Sequence, residues 1–207
     1  MKNGFKFGSH DAPIDLEGCL VQVEASKAWF TRRVLPLSIE QLRWRPDPRH
    51  WSIAECLDHL NITLRLWLPK VNLAAAIGRR QGRTFRGWLG YERSEIDALK
   101  QIEPPVTARA SAPQDLVPAP AVDPDQLVDH FYEARERYAE AVRQSLGLDL
   151  PRILVVEPIA PLIRSLGGTL AFLAAHDRRH MWQSERVRNA RRFPRAVLAG
   201  ERDDKGF

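Results

Sequence analysis

The chain has 207 residues, 44% of them hydrophobic and 28% charged, with a formal net charge of +5 and a pI near 9.5. These proportions belong to a folded globular protein and exclude collagen-like, coiled-coil-only and wholly disordered chains. The length suits one domain over 1–207, with a core at about 14–191, an irregular excursion at 78–122 and a polar tail at 192–207.

The first fifteen residues carry Lys2, Lys6, His10 and Asp11 and no apolar run, so no signal peptide is expected there and the expected compartment is the cytoplasm. The most apolar stretch, 153–173, is interrupted by Glu157, Arg164 and prolines, and no membrane span is expected. Cys19 and Cys56 form no CxxC pair and no disulfide framework. The positive charge comes mostly from arginine, interspersed with Asp and Glu, which reads as a mixed solvated surface.

Four long amphipathic helices follow in chain order. The first spans about 14–34, with Leu16, Leu20, Val23, Phe30 and Val34 on its apolar stripe, and Pro36 ends it. Ser38 and Gln41 have capping-box spacing and predict a short turn of helix before Pro46. The second long helix starts at the capping box Ser52-Ile-Ala-Glu55, with Trp51 just outside as a staple onto Cys56. Its stripe is Ile53, Leu57, Leu60, Leu64 and Leu68. Pro69 should kink or end it unless the helix resumes through Ile77.

From Gly78 to Val122 glycines and then prolines break the pattern, leaving room for one short helix at 94–101; the rest reads as a long excursion over the bundle. Asp123 and Pro124 start the third long helix, with Leu127, Phe131, Ala134, Tyr138, Ala141 and Val142 inward and Gly147 as its stop. A second long loop, 149–166, leads to Gly167-Gly168-Thr169 and a fourth helix reaching about Arg191. No alternating strand pattern is visible. The expected fold is all-α, a four-helix bundle with long connections between helices two and three and helices three and four.

His176 and His180 are spaced i, i+4, so about 6 Å of helical rise and slightly more than one turn put both imidazoles on one face. With Leu173, Gln183 and Val187 they form a continuous inward stripe, a spacing that lets both rings bind one metal ion. Asp177, not Glu, follows His176, so this is not the HExxH motif; Asp177, Arg178 and Arg179 read as the solvent side. A third ligand has to come from another helix. His59, on the flank of the second helix's stripe beside Cys56 and Thr63, is the best placed. His10, His50 and His130 are weaker, His130 reading as a half-exposed surface residue.

The run Trp51-Ser-Ile-Ala-Glu55-Cys-Leu-Asp-His59-Leu, with the later Gly168-Thr-Leu-Ala-Phe-Leu-Ala-Ala-His176-Asp-Arg-Arg-His180-Met-Trp-Gln183, resembles the DinB-like (YfiT-like) superfamily. The shared pattern is a Trp-Ser entry to the second helix, a histidine about eight residues on, and a late His-xxx-His followed by Gln. The resemblance implies a four-helix bundle holding a divalent metal, usually zinc or nickel, on His59, His176 and His180. It also implies a metal-dependent transferase or hydrolase, since some relatives are thiol-dependent S-transferases and would draw on a low-molecular-weight thiol. Three neutral imidazoles leave the ion its full charge and an open position, where either water or a thiol is acidified. Hydrolysis and thiol transfer therefore remain alternatives, as does a non-catalytic metal- or ligand-binding, stress-related bundle.

Asn61 and Gln183 are candidates to hydrogen-bond the ligating rings; Gln183 could equally orient a substrate or pair within the bundle. Cys56 is either a redox-sensitive neighbour or a small buried hydrophobe. Trp44, Trp51, Trp67, Trp88 and Trp182 could line a pocket or fill the core, and Trp88 is the candidate pocket cover. The expected partner is a small-molecule substrate, with a homodimer compatible. Nucleic-acid binding through Arg79, Arg80, Arg83 and Arg86 and the tail arginines has no motif behind it.

Overall fold

The computed structural model describes residues 16–85, 93–106, 111–118, 123–160 and 162–195. Helix α1, Leu16–Arg33, is followed by the short α2, Ile39–Arg43, and by the 28-residue α3, Ile53–Arg80. Next come α4, Arg93–Ile102, a single 3₁₀ turn at Gln114–Leu116, and α5, Pro124–Gln144. Strands β1, Leu154–Val156, and β2, Ile163–Ser165, precede α6, Leu166–Arg188.

The all-α expectation holds. The four long helices α1, α3, α5 and α6 form the bundle, α3 packing on α5 and α6, and α1 packing on the same two. Both expected capping boxes are present. Ser38 and Ser52 accept from the amides of Gln41 and Glu55, and those side chains reach back to the capping residues' own N–H groups. Helix α3 continues past Pro69 to Arg80 rather than ending there. Pro69 lies on the exposed side, so the carbonyl that proline leaves without an N–H donor can be met by water.

The loop at 149–166 is not wholly irregular. Leu154, Val155 and Val156 pair antiparallel with Ser165, Arg164 and Ile163. Three-residue strands are too short to produce a visible alternation in sequence. The hairpin closes one end of the bundle by burying Val155 and Ile153 in the main apolar cluster. Helix α6 starts at a side-chain cap from Ser165 to the Gly168 amide, two residues before the expected glycine pair.

The excursion after α3 does place structure over the bundle. Helix α4 lays Ile96 and Leu99 into the same apolar cluster and packs on α6. Its Glu95 accepts from the backbone N–H of Ser165 at 2.6 Å and from the Ser165 hydroxyl at 2.9 Å. Trp88 and Arg86 from this segment, and His10 near the N-terminus, lie outside the described residues. Among the described residues no helix is long and apolar enough to cross a membrane.

Candidate metal centre

The capping box of Ser52 and Glu55 sets the start of α3, and His59 follows two turns in, on a side of the helix that is buried. The Ser165 cap sets the start of α6 in the same way, and the i, i+4 spacing then places His176 and His180 together on the face turned to α3. Nε2 of His176 lies 3.1 Å from Nε2 of His59 and 3.1 Å from Nε2 of His180. One ligand atom from each of the three rings lies within 4.8 Å of the others, a group able to hold a metal ion. His59 and His180 are buried and His176 is half-buried.

The donor set fits a cation. Nδ1 of His59 is 2.7 Å from the Leu116 carbonyl oxygen; a carbonyl only accepts, so Nδ1 carries the proton and Nε2 presents its lone pair to the cluster. Leu116 is supplied by the 3₁₀ turn, so the excursion contributes an orienting contact. Nitrogens about 2.05 Å from one zinc in tetrahedral arrangement stand ~3.3 Å apart, close to the spacing observed here. Burial, then the neighbouring rings and the positive charge of Arg179, hold His176 and His180 well below the usual imidazole range. Burial also lowers His59, against the pull of the Leu116 carbonyl and Asp58. The three rings are therefore neutral at pH 7, the protonation state a metal requires.

Aromatic rings wall the cluster. The Trp51 ring centre is 4.8 Å from that of His59 and 5.9 Å from that of His180, so Trp51 is turned to the histidines as well as standing at the helix entry. Phe172 stacks on His176 at 5.5 Å, and Trp67 stacks behind Phe172. Gln183, one turn past His180, is half-buried beside its ring and opposes the lowering of its basicity. Nδ1 of His180 is buried with no hydrogen-bond partner.

Two expectations are corrected. Asp177 is not on the solvent side; it is buried, and with Arg135 of α5 it forms an ion pair inside the bundle. The stripe of α6 is wider than the HxxxH face because three other long helices surround the bundle interior, and Asp177 meets α1 and α5. Asn61 does not reach the histidines: its side-chain oxygen accepts from Arg135 at 2.8 Å. Ser26 of α1 donates to the other Asp177 oxygen. Ser26, Asn61, Arg135 and Asp177 thus tie α1, α3, α5 and α6 together in one polar network, directly beside His176. Arg135 sits four residues after Phe131 and three before Tyr138, inside the inward stripe of α5, and that position was the available signal for it.

The remaining candidates lie elsewhere. His130 is exposed on α5, and His50 sits in the turn before α3 with Nδ1 2.7 Å from Asp47. Cys56 is fully buried, and burial pushes its thiol up to about 12, the behaviour of a small hydrophobe. Trp44 packs on Phe193 in a separate apolar cluster, and Trp182 lies beneath the Arg186 guanidinium.

The family model of the DinB superfamily matches residues 22–184. The chain belongs to that superfamily, and its bundle brings together three histidines able to hold a metal ion. Comparisons with curated proteins and with solved structures give no match.

Proposed function

We propose that the protein is a metal-dependent enzyme in which His59, His176 and His180 hold one divalent cation, zinc or nickel, for thiol transfer or hydrolysis on a small substrate. The observation that carries this reading is the meeting of three Nε2 atoms, one with its lone pair fixed inward by the Leu116 carbonyl. A single proton can bridge two ring nitrogens, whereas a cation serves three lone pairs at once. Three protein donors are also fewer than the four a structural zinc site uses, which leaves room for a reacting ligand. A bound ion would supply Lewis-acid chemistry, acidifying a water or a thiol.

The protein's own groups would do the rest. Leu116 holds the His59 ring against rotation through its hydrogen bond. Trp51 and Phe172 keep bulk water from the flanks of the rings, which strengthens electrostatic interactions within. The half-buried His176 marks the side from which a small molecule can approach.

Elemental analysis of the purified protein should return about one divalent ion per chain, and the His59→Ala/His176→Ala/His180→Ala variant none. A panel of low-molecular-weight thiols with electrophilic and hydrolysable substrates then separates transfer from hydrolysis. Metal held in a saturated site without an exchangeable ligand, and no turnover with any thiol, would favour a binding protein instead.

A further inference from the structure

A groove of about 580 Å³ runs between α3 and α5, and none of the three histidines lines it. That volume is in the range of small-molecule sites. Helical spacing builds its walls. Asn61, Arg65, Leu68 and Asn72 follow one another at three or four residues on α3, and Ala134 and Arg137 do so on α5. From Asn61 to Asn72 the α3 wall is about 16 Å long at 1.5 Å per residue. Leu64, Leu68 and Ala134 give the groove an apolar lining.

Asn61 brings an unmet donor to this lining. The residue is buried, and its side-chain oxygen accepts from Arg135 at 2.8 Å. A guanidinium only donates, so the oxygen has to face Arg135 and the amide nitrogen has to lie on the other side. That nitrogen, Nδ2, is buried and has no hydrogen-bond partner among the described residues. A buried donor left unmet is costly, and a ligand oxygen would satisfy it.

Arg65 stands one turn after Asn61 on the same stripe, exposed and with no hydrogen-bond or ion-pair partner among the described residues. The other charges of the groove are engaged: Arg137 pairs with Glu133, and Glu140 is met by Arg143 and Gln144. Asp58 stands one turn before Asn61, so an anion belongs on the Arg65 side. The open groups are thus an amide N–H and a guanidinium four residues apart beside an apolar surface. Both call for acceptor oxygens, and a carboxylate offers two.

We propose that this groove is a small-molecule site separate from the histidine cluster, taking an amphipathic carboxylic acid whose carboxylate lies between Asn61 and Arg65 and whose apolar body lies on Leu64, Leu68 and Ala134. The inference does not depend on the metal reading.

The test titrates full-length protein calorimetrically with octanoate, octanamide and octylammonium, in excess chelator so that no metal can take the carboxylate. Octanoate should bind about tenfold more tightly than octanamide, as a charge-assisted pair predicts, and octylammonium most weakly. Arg65→Gln should bring octanoate down to the octanamide level and leave octanamide unchanged. Asn61→Asp keeps an oxygen for Arg135 and removes the donor, and it should weaken both. Ala134→Phe should fill the groove and abolish binding. In nitrogen-15-labelled wild type, the Asn61 side-chain amide signals should shift on adding octanoate. No octanoate binding, equal affinity for octanoate and octanamide, unmoved Asn61 signals, or binding that survives in folded Ala134→Phe overturns the inference.

Discussion

Arg135 and Asp177 face each other in the bundle interior, both buried, in an ion pair whose remaining bonds run to Asn61 and Ser26. The Arg135 guanidinium also lies 3.6 Å from the centre of the Phe131 ring. Asp177 directly follows His176, so the pair that joins the four long helices also fixes the backbone that presents a candidate ligand.

Removing one partner should therefore cost far more than removing both. Arg135→Met strands the Asp177 carboxylate and is expected to destabilise the fold by about 3–5 kcal/mol, whereas Arg135→Met/Asp177→Leu should cost much less than the sum of the single changes. Urea unfolding of the four proteins in the cycle measures this. Additive effects would mean that the pair does not act as a unit.

Metal should stabilise the folded chain by mass action, because the unfolded chain does not hold three imidazoles in one place. Zinc at a hundred times its dissociation constant adds ~2.7 kcal/mol, and chelator should reverse the gain. In His59→Ala, which removes one donor of three, the thermal midpoint should no longer respond to zinc. Calorimetry with and without metal checks both statements.

The pH dependence of the metal-free protein follows from the lowered histidines. Their folded pKa values lie below the unfolded value near 6.5, so the unfolded chain takes up protons first as pH falls. The stability they contribute is present above about pH 6.5 and is lost as pH falls toward the folded values, by up to ~1.4 kcal/mol per pH unit for each such group. Unfolding midpoints at pH 7.5, 6.5 and 5.5 should fall in that order, and the slope should flatten in the triple alanine variant.

Cys56 should be inert in the folded protein. With its thiol pushed up to about 12, about one part in ten thousand is thiolate at pH 8, and the side chain is fully buried as well. Cys19 is also buried. Maleimide labelling under native conditions should be slow at both positions and become rapid in denaturant. Rapid native labelling of Cys56 would reopen a redox role beside the cluster.

The junction of α4 with α6 is tight. A Cβ on Gly168 would stand 2.5 Å from Glu95 Oε1 and 2.9 Å from its Cδ, and two bonds from Ser165 hold that carboxylate in place. Gly168→Ala is expected to cost about 1–3 kcal/mol by overpacking. In a Glu95→Ala background, where the Ser165 Oγ at 2.9 Å is the close contact that remains, the same change should cost less, offset by the better helix propensity of alanine. Thermal unfolding of the three variants resolves the two contributions.

The four long helices, two capping boxes and the HxxxH face were legible in the sequence because each rests on local chemistry: apolar residues at helical period, a Ser three residues before a Glu or Gln, two imidazoles one turn apart. The pairing of His59 with that face was legible as a candidate for the same reason, as a histidine on the flank of an apolar stripe. What could not be read was which other polar groups from distant segments would meet. The Leu116 carbonyl meets His59 across 57 positions of chain, and Arg135 meets Asp177 across 42. A charged residue looks the same in sequence whether it faces water or an opposite charge, so Asp177 read as surface and Arg135 went unnoticed. Helical period determines which way a side chain leaves its own helix; only the packing of α1, α3, α5 and α6 around one axis decides what it meets there.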